Sequence, residues 1–225
     1  IWQLILGLNH LHYRNTSGPA ITHGDVKGEN IKIRVLEDSA GQHQGKKIDV
    51  FYLDPDYAKP ITRHPQCSQG TLEYLALEIL EGYYSEGSDF FALSPLLLSV
   101  LGAHNPLQKI IEYRNNHPKM GDAELVKNYR NIGFCTEGLF EHFEKKPESF
   151  ICNLIERFII QMGANNPKNR PLPDAILEFF TALRQLCLLS ELNENTELHL
   201  IRLCIAANDG SWLKVNKYQA LFINA

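Results

Sequence analysis

The sequence predicts a mainly helical α+β domain with one small β-hairpin, and three observations predict it. Apolar residues recur at helical spacing at the start of the chain, at Ile1, Leu4, Ile5, Leu8 and Leu11, and again in residues 150–162 and 175–189. Strand periodicity marks two runs, residues 31–35 and 48–53, on either side of a polar stretch. The composition, 44% hydrophobic and 21% charged over 225 residues, is that of a soluble globular chain able to bury a sizeable core as one large domain or two small ones.

The totals also exclude. A formal net charge of -4 argues against a broad nucleic-acid footprint. The longest apolar run, residues 96–101, is far too short to span a bilayer. Cys67, Cys135, Cys152, Cys187 and Cys204 are scattered without a C-x-x-C pair. Their odd number fits reduced, cytosolic thiols that fill a core better than a disulfide framework or a zinc knuckle. No secretory signal opens the chain. Ile1 reads as the inside of a helix, with no start methionine and no capping residue before it, so a piece of a longer protein is expected.

Taken in order, residues 1–14 are predicted helical and residues 15–19 a turn. In the first strand Ile31, Ile33 and Val35 alternate with Lys32 and Arg34. Residues 37–47 are polar, contain two glycines and form a long exposed loop before the second strand. Ser85 or Ser88 can cap a helix that begins near residue 85. Pro95 falls inside that helix and predicts a kink or a broken ladder. Residues 107–150 hold charged, helix-compatible segments separated by His117-Pro118, Gly133 and Pro147. Residues 166–171 form a turn between the last two apolar helices. Beyond them, residues 198–207 are expected to be helical and Asn208-Asp209-Gly210 a turn. Trp212 and Phe222 either pack back on the domain or open another one.

The chemistry concentrates in His23-Gly24-Asp25-Val26-Lys27-Gly28-Glu29-Asn30, which lies between apolar segments. An acid is followed two residues later by a lysine and three residues after that by an amide. Phosphoryl transfer needs those groups in one tight loop: an acid to take the proton of an attacking hydroxyl, a cation to offset charge on the moving phosphate, and an amide oxygen to help hold a metal ion. The plain alternative is a polar turn with a buried histidine.

The octet closely resembles the protein-kinase catalytic loop, H-R-D-L-x-x-x-N. Five further stretches resemble the same family, in its order. Asp54-Pro55-Asp56-Tyr57-Ala58-Lys59 stands where the family has D-F-G-x-A-K. Gly70-Thr71-Leu72-Glu73-Tyr74-Leu75-Ala76-Leu77-Glu78-Ile79-Leu80 is similar to G-T-x-E-Y-x-A-P-E-x-L. Residues 84–93 resemble the start of the long central helix, and Asn105-Pro106-Leu107 the N-P-F that follows it. Asn166-Pro167-Lys168-Asn169-Arg170-Pro171 resembles D-P-x-x-R-P. The resemblance covers residues 1–189 and implies the large C-terminal lobe of a Ser/Thr-type protein kinase, with residues 190–225 a helical extension or the start of a further domain. It implies Asp25 and Lys27 as catalytic residues, Lys27, Asn30 and Asp54 as the groups that meet ATP, and Asn30 and Asp54 as holders of Mg2+. It also implies a pair between Glu78 and Arg170, with His23 and Asp89 in structural roles. Thr62 and Ser68 fall in the segment that would be the activation loop. The implied partners are a protein carrying Ser or Thr and the small N-terminal lobe, since no G-x-G-x-x-G or V-A-I-K match lies in this sequence. Residues 1–225 alone are therefore expected to transfer no phosphate.

Four departures keep two other readings open. Gly24 replaces the family's arginine, Pro55 and Asp56 replace its phenylalanine and glycine, and Leu77 replaces its proline. Pro55 fixes φ and argues against an aromatic switch. Asp56 adds a second carboxylate, which at about 4 Å from the first would repel it by roughly 4 kcal/mol at an effective dielectric of about 20. These changes suit a pseudokinase that binds or scaffolds. His23-Gly24-Asp25 through Asn30 also fits the H-G-D-x-x-x-x-N loop of aminoglycoside- and choline-type phosphotransferases. Lys27, residues 70–80 and residues 166–171 favour the protein-kinase reading over that one.

Overall fold

The computed structural model of the chain describes residues 1–13, 20–36, 47–61, 70–144 and 149–188, together with Leu198, Arg202 and Ile205. Six helices and four short strands are found among them. Helix α1 (Trp2–His12) buries Leu4, Ile5 and Leu8, the face its spacing predicts. Helix α2 (Glu86–Val100) is buried on nearly every side, from Ser88 to Leu98, and is the axis of the molecule. A helix apolar all round must be surrounded by others. Phe90 packs in one cluster with α1, α5 (Ser149–Met162) and α6 (Pro173–Leu188). Its neighbour Phe91 packs in a second cluster with Leu75, Ile79, α3 (Gln108–Asn116) and α4 (Asp122–Ile132). One residue step around α2 thus joins two cores. In the first, the rings of Phe158 on α5 and Phe179 on α6 stack at 3.9 Å.

Both serines act at the start of α2. The Ser85 amide donates to Ser88 Oγ (3.4 Å), and the two hydroxyls lie 3.1 Å apart. Pro95 does not end the helix, which runs five residues further. The proline lacks the N–H that would reach the Phe91 carbonyl, so the ladder loses one donor. Burial of Leu93, Leu97 and Leu98 on either side keeps the helix whole.

Strands β2 (Ile31–Leu36) and β3 (Lys47–Tyr52) form the expected hairpin, in register from Ile31↔Tyr52 to Leu36↔Lys47. Arg34 and Asp49 pair across it at 2.6 Å. A second two-stranded pairing, β1 (Ile21–Thr22) with β4 (Lys59–Pro60), accompanies it. Two residues are too few to carry a period, so the sequence has no signal for it.

Among the described residues no helix is long and apolar enough to cross a membrane. Leu198, Arg202 and Ile205 are helical, and Ile205 packs on the first core. The turns at 15–19 and 208–210, most of the loop at 37–47, Thr62, Ser68, Trp212 and Phe222 lie outside the described residues.

Candidate active site

The site is hung from α2. Asp89, in its first turn, is 2% exposed. Its carboxylate accepts from the backbone N–H groups of His23 (2.7 Å) and Gly24 (3.0 Å) and from His12 Nε2 (2.8 Å). A buried carboxylate needs such donors to offset its lost hydration, and here two come from the residue 23–30 loop and one from α1. His23 continues the scaffold. Its Nδ1 accepts from the Asp25 amide (3.4 Å) while its Nε2 donates to the Leu53 carbonyl (3.0 Å). The Leu53 amide in turn donates to the Asn30 carbonyl at 2.8 Å. The end of β3 is therefore clipped to the loop on both sides, and Asp54 is set beside Asn30. Asp54 is exposed and left-handed, with φ 59° and ψ 67°. A non-glycine residue held there costs about 1–3 kcal/mol and tends to mark a functional site.

Asp25 is 4% exposed and accepts four hydrogen bonds. Oδ1 takes the Thr71 amide (2.9 Å) and hydroxyl (2.8 Å). Oδ2 takes Asn30 Nδ2 (3.0 Å) and Lys27 Nζ (2.7 Å). Lys27 also donates to Thr71 Oγ1 at 2.9 Å. Burial pushes the Asp25 pKa up, but the hydrogen bonds from Lys27 and Thr71 outweigh it and hold the carboxyl below its usual range. Lys27 moves the other way: its bond to Asp25 raises it against a smaller desolvation, with further help from the charges of Glu29 and Asp54. Both groups are thus kept charged.

Asn30 spends its Nδ2 on the carbonyl and carboxylate of Asp25 (2.9 and 3.0 Å), which turns its amide oxygen into the acceptor available to a cation. Among the described residues no group of three or more His, Cys, Asp or Glu side chains forms a metal cage. One amide oxygen and one exposed carboxylate is the donor set that suits magnesium, which keeps waters and binds substrate phosphates as its other ligands. Asn30 and Asp54 fit that pattern. Pro55 opens a single 3-10 turn, Pro55–Tyr57, closed by the Ala58 amide on the Pro55 carbonyl (2.8 Å). Asp56 is exposed like Asp54, so water screens the repulsion expected between them.

At Gly24 φ is +80°, and a Cβ there would lie 2.4 Å from the Tyr57 carbonyl oxygen. At Gly70 φ is +127°, and a Cβ would lie 2.9 Å from the Gly24 carbonyl oxygen. Tyr57 and Gly70 thus both approach Gly24 through bare backbone.

Glu78 and Arg170, the remaining pair picked out by motif, meet. Arg170 grips both Glu78 oxygens, with Nη1 on Oε1 and Nη2 on Oε2 at 2.9 Å. Ser88 Oγ adds a bond to Glu78 at 2.9 Å, and Arg170 also donates to the Gly87 carbonyl (3.1 Å) and the Ala164 carbonyl (2.8 Å). Two residues escaped the sequence reading. Thr71 sits in a motif that was recognised, so its neighbourhood was visible but its bonds to Asp25 were not. His12 had no signal beyond a histidine on a helix.

The protein kinase domain family model matches residues 1–199. The chain is 33% identical over 104 residues to the probable serine/threonine-protein kinase WNK9 of Oryza sativa subsp. japonica, a match that covers 46% of this chain and 22% of that protein. It is 32% identical over 127 residues to the serine/threonine-protein kinase PSK1 of Saccharomyces cerevisiae, covering 55% and 8%. A third relative is the membrane-associated tyrosine- and threonine-specific cdc2-inhibitory kinase of Drosophila melanogaster, 30% identical over 104 residues, covering 44% and 17%. The matches span less than a quarter of each of these curated relatives.

Proposed function

Because this chain belongs to the protein kinase domain family, we propose that it is the large-lobe part of an enzyme that transfers the terminal phosphoryl group of ATP to Ser or Thr hydroxyls of a protein. The observation that carries the reading is the Asp25 carboxylate, buried yet kept ionised by Lys27 and Thr71. Its four acceptor positions are all filled, so an incoming hydroxyl must displace a donor. Lys27 is the one that can leave, since its side chain is 23% exposed while that of Asp25 is 2% exposed. As its ammonium shifts toward phosphate oxygens it vacates Oδ2. The substrate hydroxyl then donates there, and Asp25 takes its proton as oxygen attacks phosphorus. Asn30 and Asp54 would hold magnesium, which when bound neutralises charge on the phosphates. Thr71, fixed on Oδ1, keeps the carboxylate aimed throughout.

Support for a protein hydroxyl as acceptor comes from Lys27 and from residues 70–80 and 166–171, and from the Ser/Thr kinase names of two relatives. Support for an active site rather than a scaffold comes from the four groups Asp25, Lys27, Asn30 and Asp54 standing together. The test is single-turnover transfer from labelled ATP, measured on a protein containing this chain with its nucleotide-covering segment. Protein, sugar and choline acceptors are offered. Label is expected on Ser or Thr of the protein acceptor, and Asp25→Asn should lower the rate by about 10²–10⁴, the contribution of a general base. No transfer by either form would establish the pseudokinase reading, and label on the small acceptors alone would establish the small-molecule one.

A further inference from the structure

Gly7 stands in the middle of α1, where glycine is the poorest helix former after proline. Its surroundings explain the choice. A Cβ there would lie 2.9 Å from Cε2 and 3.2 Å from Cδ2 of Tyr52. A side-chain ring could ordinarily swing aside, but this one is tethered. Its hydroxyl donates to the carbonyl of Leu4 at 2.8 Å, three residues back on the same helix. The ring is therefore held across the bare backbone of Gly7.

Tyr52 ends β3, and its ring also meets the site. It lies 5.5 Å from the His23 imidazole, centre to centre, with the planes tilted by 56°. That imidazole is buried and joins two parts of the site. Nδ1 accepts from the Asp25 amide (3.4 Å), and Nε2 donates to the Leu53 carbonyl (3.0 Å), one residue before Asp54. Asp89 anchors the same loop from α2, but only through the backbone N–H groups of His23 and Gly24. The width of one phenol ring thus sets the distance between α1 and the imidazole. Without the ring the loop keeps its backbone anchor, while the imidazole gains room to turn.

We propose that Tyr52 is a positioning residue of the phosphoryl-transfer site. Its ring spaces His23 from α1 and so fixes the Asp25 backbone and the step from Leu53 to Asp54, and Gly7 is the seat that admits the ring. The inference rests on the reaction proposed above. Tyr52 touches no reacting atom and acts through His23. Phosphoryl transfer is mostly positioning and charge stabilisation, and a misplacement of about 1 Å that starts far from the chemistry can cost about 10²-fold in rate. Asp54, two residues beyond the ring, carries the same displacement to the magnesium that it and Asn30 would hold.

The protein of the transfer assay, with its nucleotide-covering segment, is compared as parent, Tyr52→Leu, Gly7→Ala and the double variant, well below their melting temperatures. Tyr52→Leu should lower kcat by about tenfold to 10²-fold and raise the magnesium concentration at half-maximal rate, with the KM of the protein acceptor unchanged. Gly7→Ala should lower the melting temperature of the parent, although alanine is the better helix former. In the Tyr52→Leu background the same change should raise it, while kcat stays low. A kcat that recovers with the melting temperature in the double variant makes Tyr52 a packing residue only and overturns the proposal, as does an unchanged kcat in Tyr52→Leu. A second readout needs no activity. With isotope-labelled histidine in the 225-residue chain, the Nε2 proton of His23 should exchange with solvent faster in Tyr52→Leu than in the parent, and an equal rate overturns the proposal. Faster exchange in a parent protein that transfers no phosphate would leave the spacing of His23 by Tyr52 standing and overturn the reaction assigned to the site.

Discussion

Gly24 is one of the residues at which this site departs from its family's pattern, and the departure is built into the backbone. With φ at +80° and a would-be Cβ 2.4 Å from the Tyr57 carbonyl oxygen, no L side chain fits without moving the 54–60 segment. Gly24→Ala should destabilise the chain by about 1–3 kcal/mol from the left-handed backbone alone, read as a fall in melting temperature by circular dichroism; an unchanged value would refute the close approach. An arginine would meet the same obstacle, so a phosphate on Thr62 or Ser68 lacks the fork-shaped receptor that this position supplies elsewhere in the family. Transfer activity should therefore survive phosphatase treatment, and its abolition with those two sites alone dephosphorylated would contradict this. Thr71 permits a pH test. Its two bonds help to hold the Asp25 pKa below the ordinary value, so Asp25 stays ionised as pH falls through the usual carboxylate range and loses its charge only below it. Thr71→Val removes one of those bonds. The acid limb of the kcat/KM profile should then move to higher pH; a limb that stays in place would show that Asp25 does not set it.

At the scale of elements, the contrast lies between two arginines over one ring. Arg170 and Arg130 sit 4.8 and 4.5 Å from the centre of Phe91 on α2. Arg170 is gripped by Glu78 through both oxygens and so ties the 70–80 segment to the turn before α6. Removing either partner strands a buried charge at a typical cost of about 3–5 kcal/mol, so Arg170→Met and Glu78→Ala should each unfold or aggregate the chain. Arg130 is 6% exposed but has only a 3.3 Å bond to the Glu73 carbonyl, and its Nε is unpartnered. Burial, then repulsion from Arg170, pushes its pKa down to about 10. An apolar side chain of similar length loses little there. Arg130→Met should change unfolding free energy by less than about 1 kcal/mol or raise it, measured by urea denaturation. Equal losses at 130 and 170 would mean that the two arginines are alike in role.

For the molecule as a whole, the buried phenols set an alkaline limit. Desolvation, aided by the charges of Glu29, Glu73 and Asp25, pushes Tyr74 up to about 12. Tyr52, whose hydroxyl donates to the Leu4 carbonyl at 2.8 Å, lies well above its ordinary value because burial and the charge of Asp89 disfavour its anion. A raised pKa in the folded state means that the folded chain holds those protons more tightly than the unfolded one. The stability they contribute is complete below about 10 and is lost as pH rises toward about 12 and beyond. The melting temperature should fall with pH over that range, and Tyr74→Phe should flatten the fall. A Tyr74→Phe profile parallel to that of the parent would exclude this phenol as a cause.

Much of this was legible from one dimension, because it depends on spacing along the chain. Ile1, Leu4, Ile5 and Leu8 announced α1, the alternation from Ile31 to Val35 announced its hairpin, and Ser85 and Ser88 announced the start of α2. The same holds for the identity of Asp25, Lys27 and Asn30, since one tight loop brings residues two to five apart together. What spacing cannot encode is which distant groups meet. Only the packed molecule places Asp89 under the loop, 64 residues beyond Asp25, and Thr71 on its carboxylate 46 residues away. It alone makes Gly24 a close backbone contact. A buried charge takes its donors from whatever the fold brings within about 3 Å, and that is decided by packing, which leaves no period in the sequence to read.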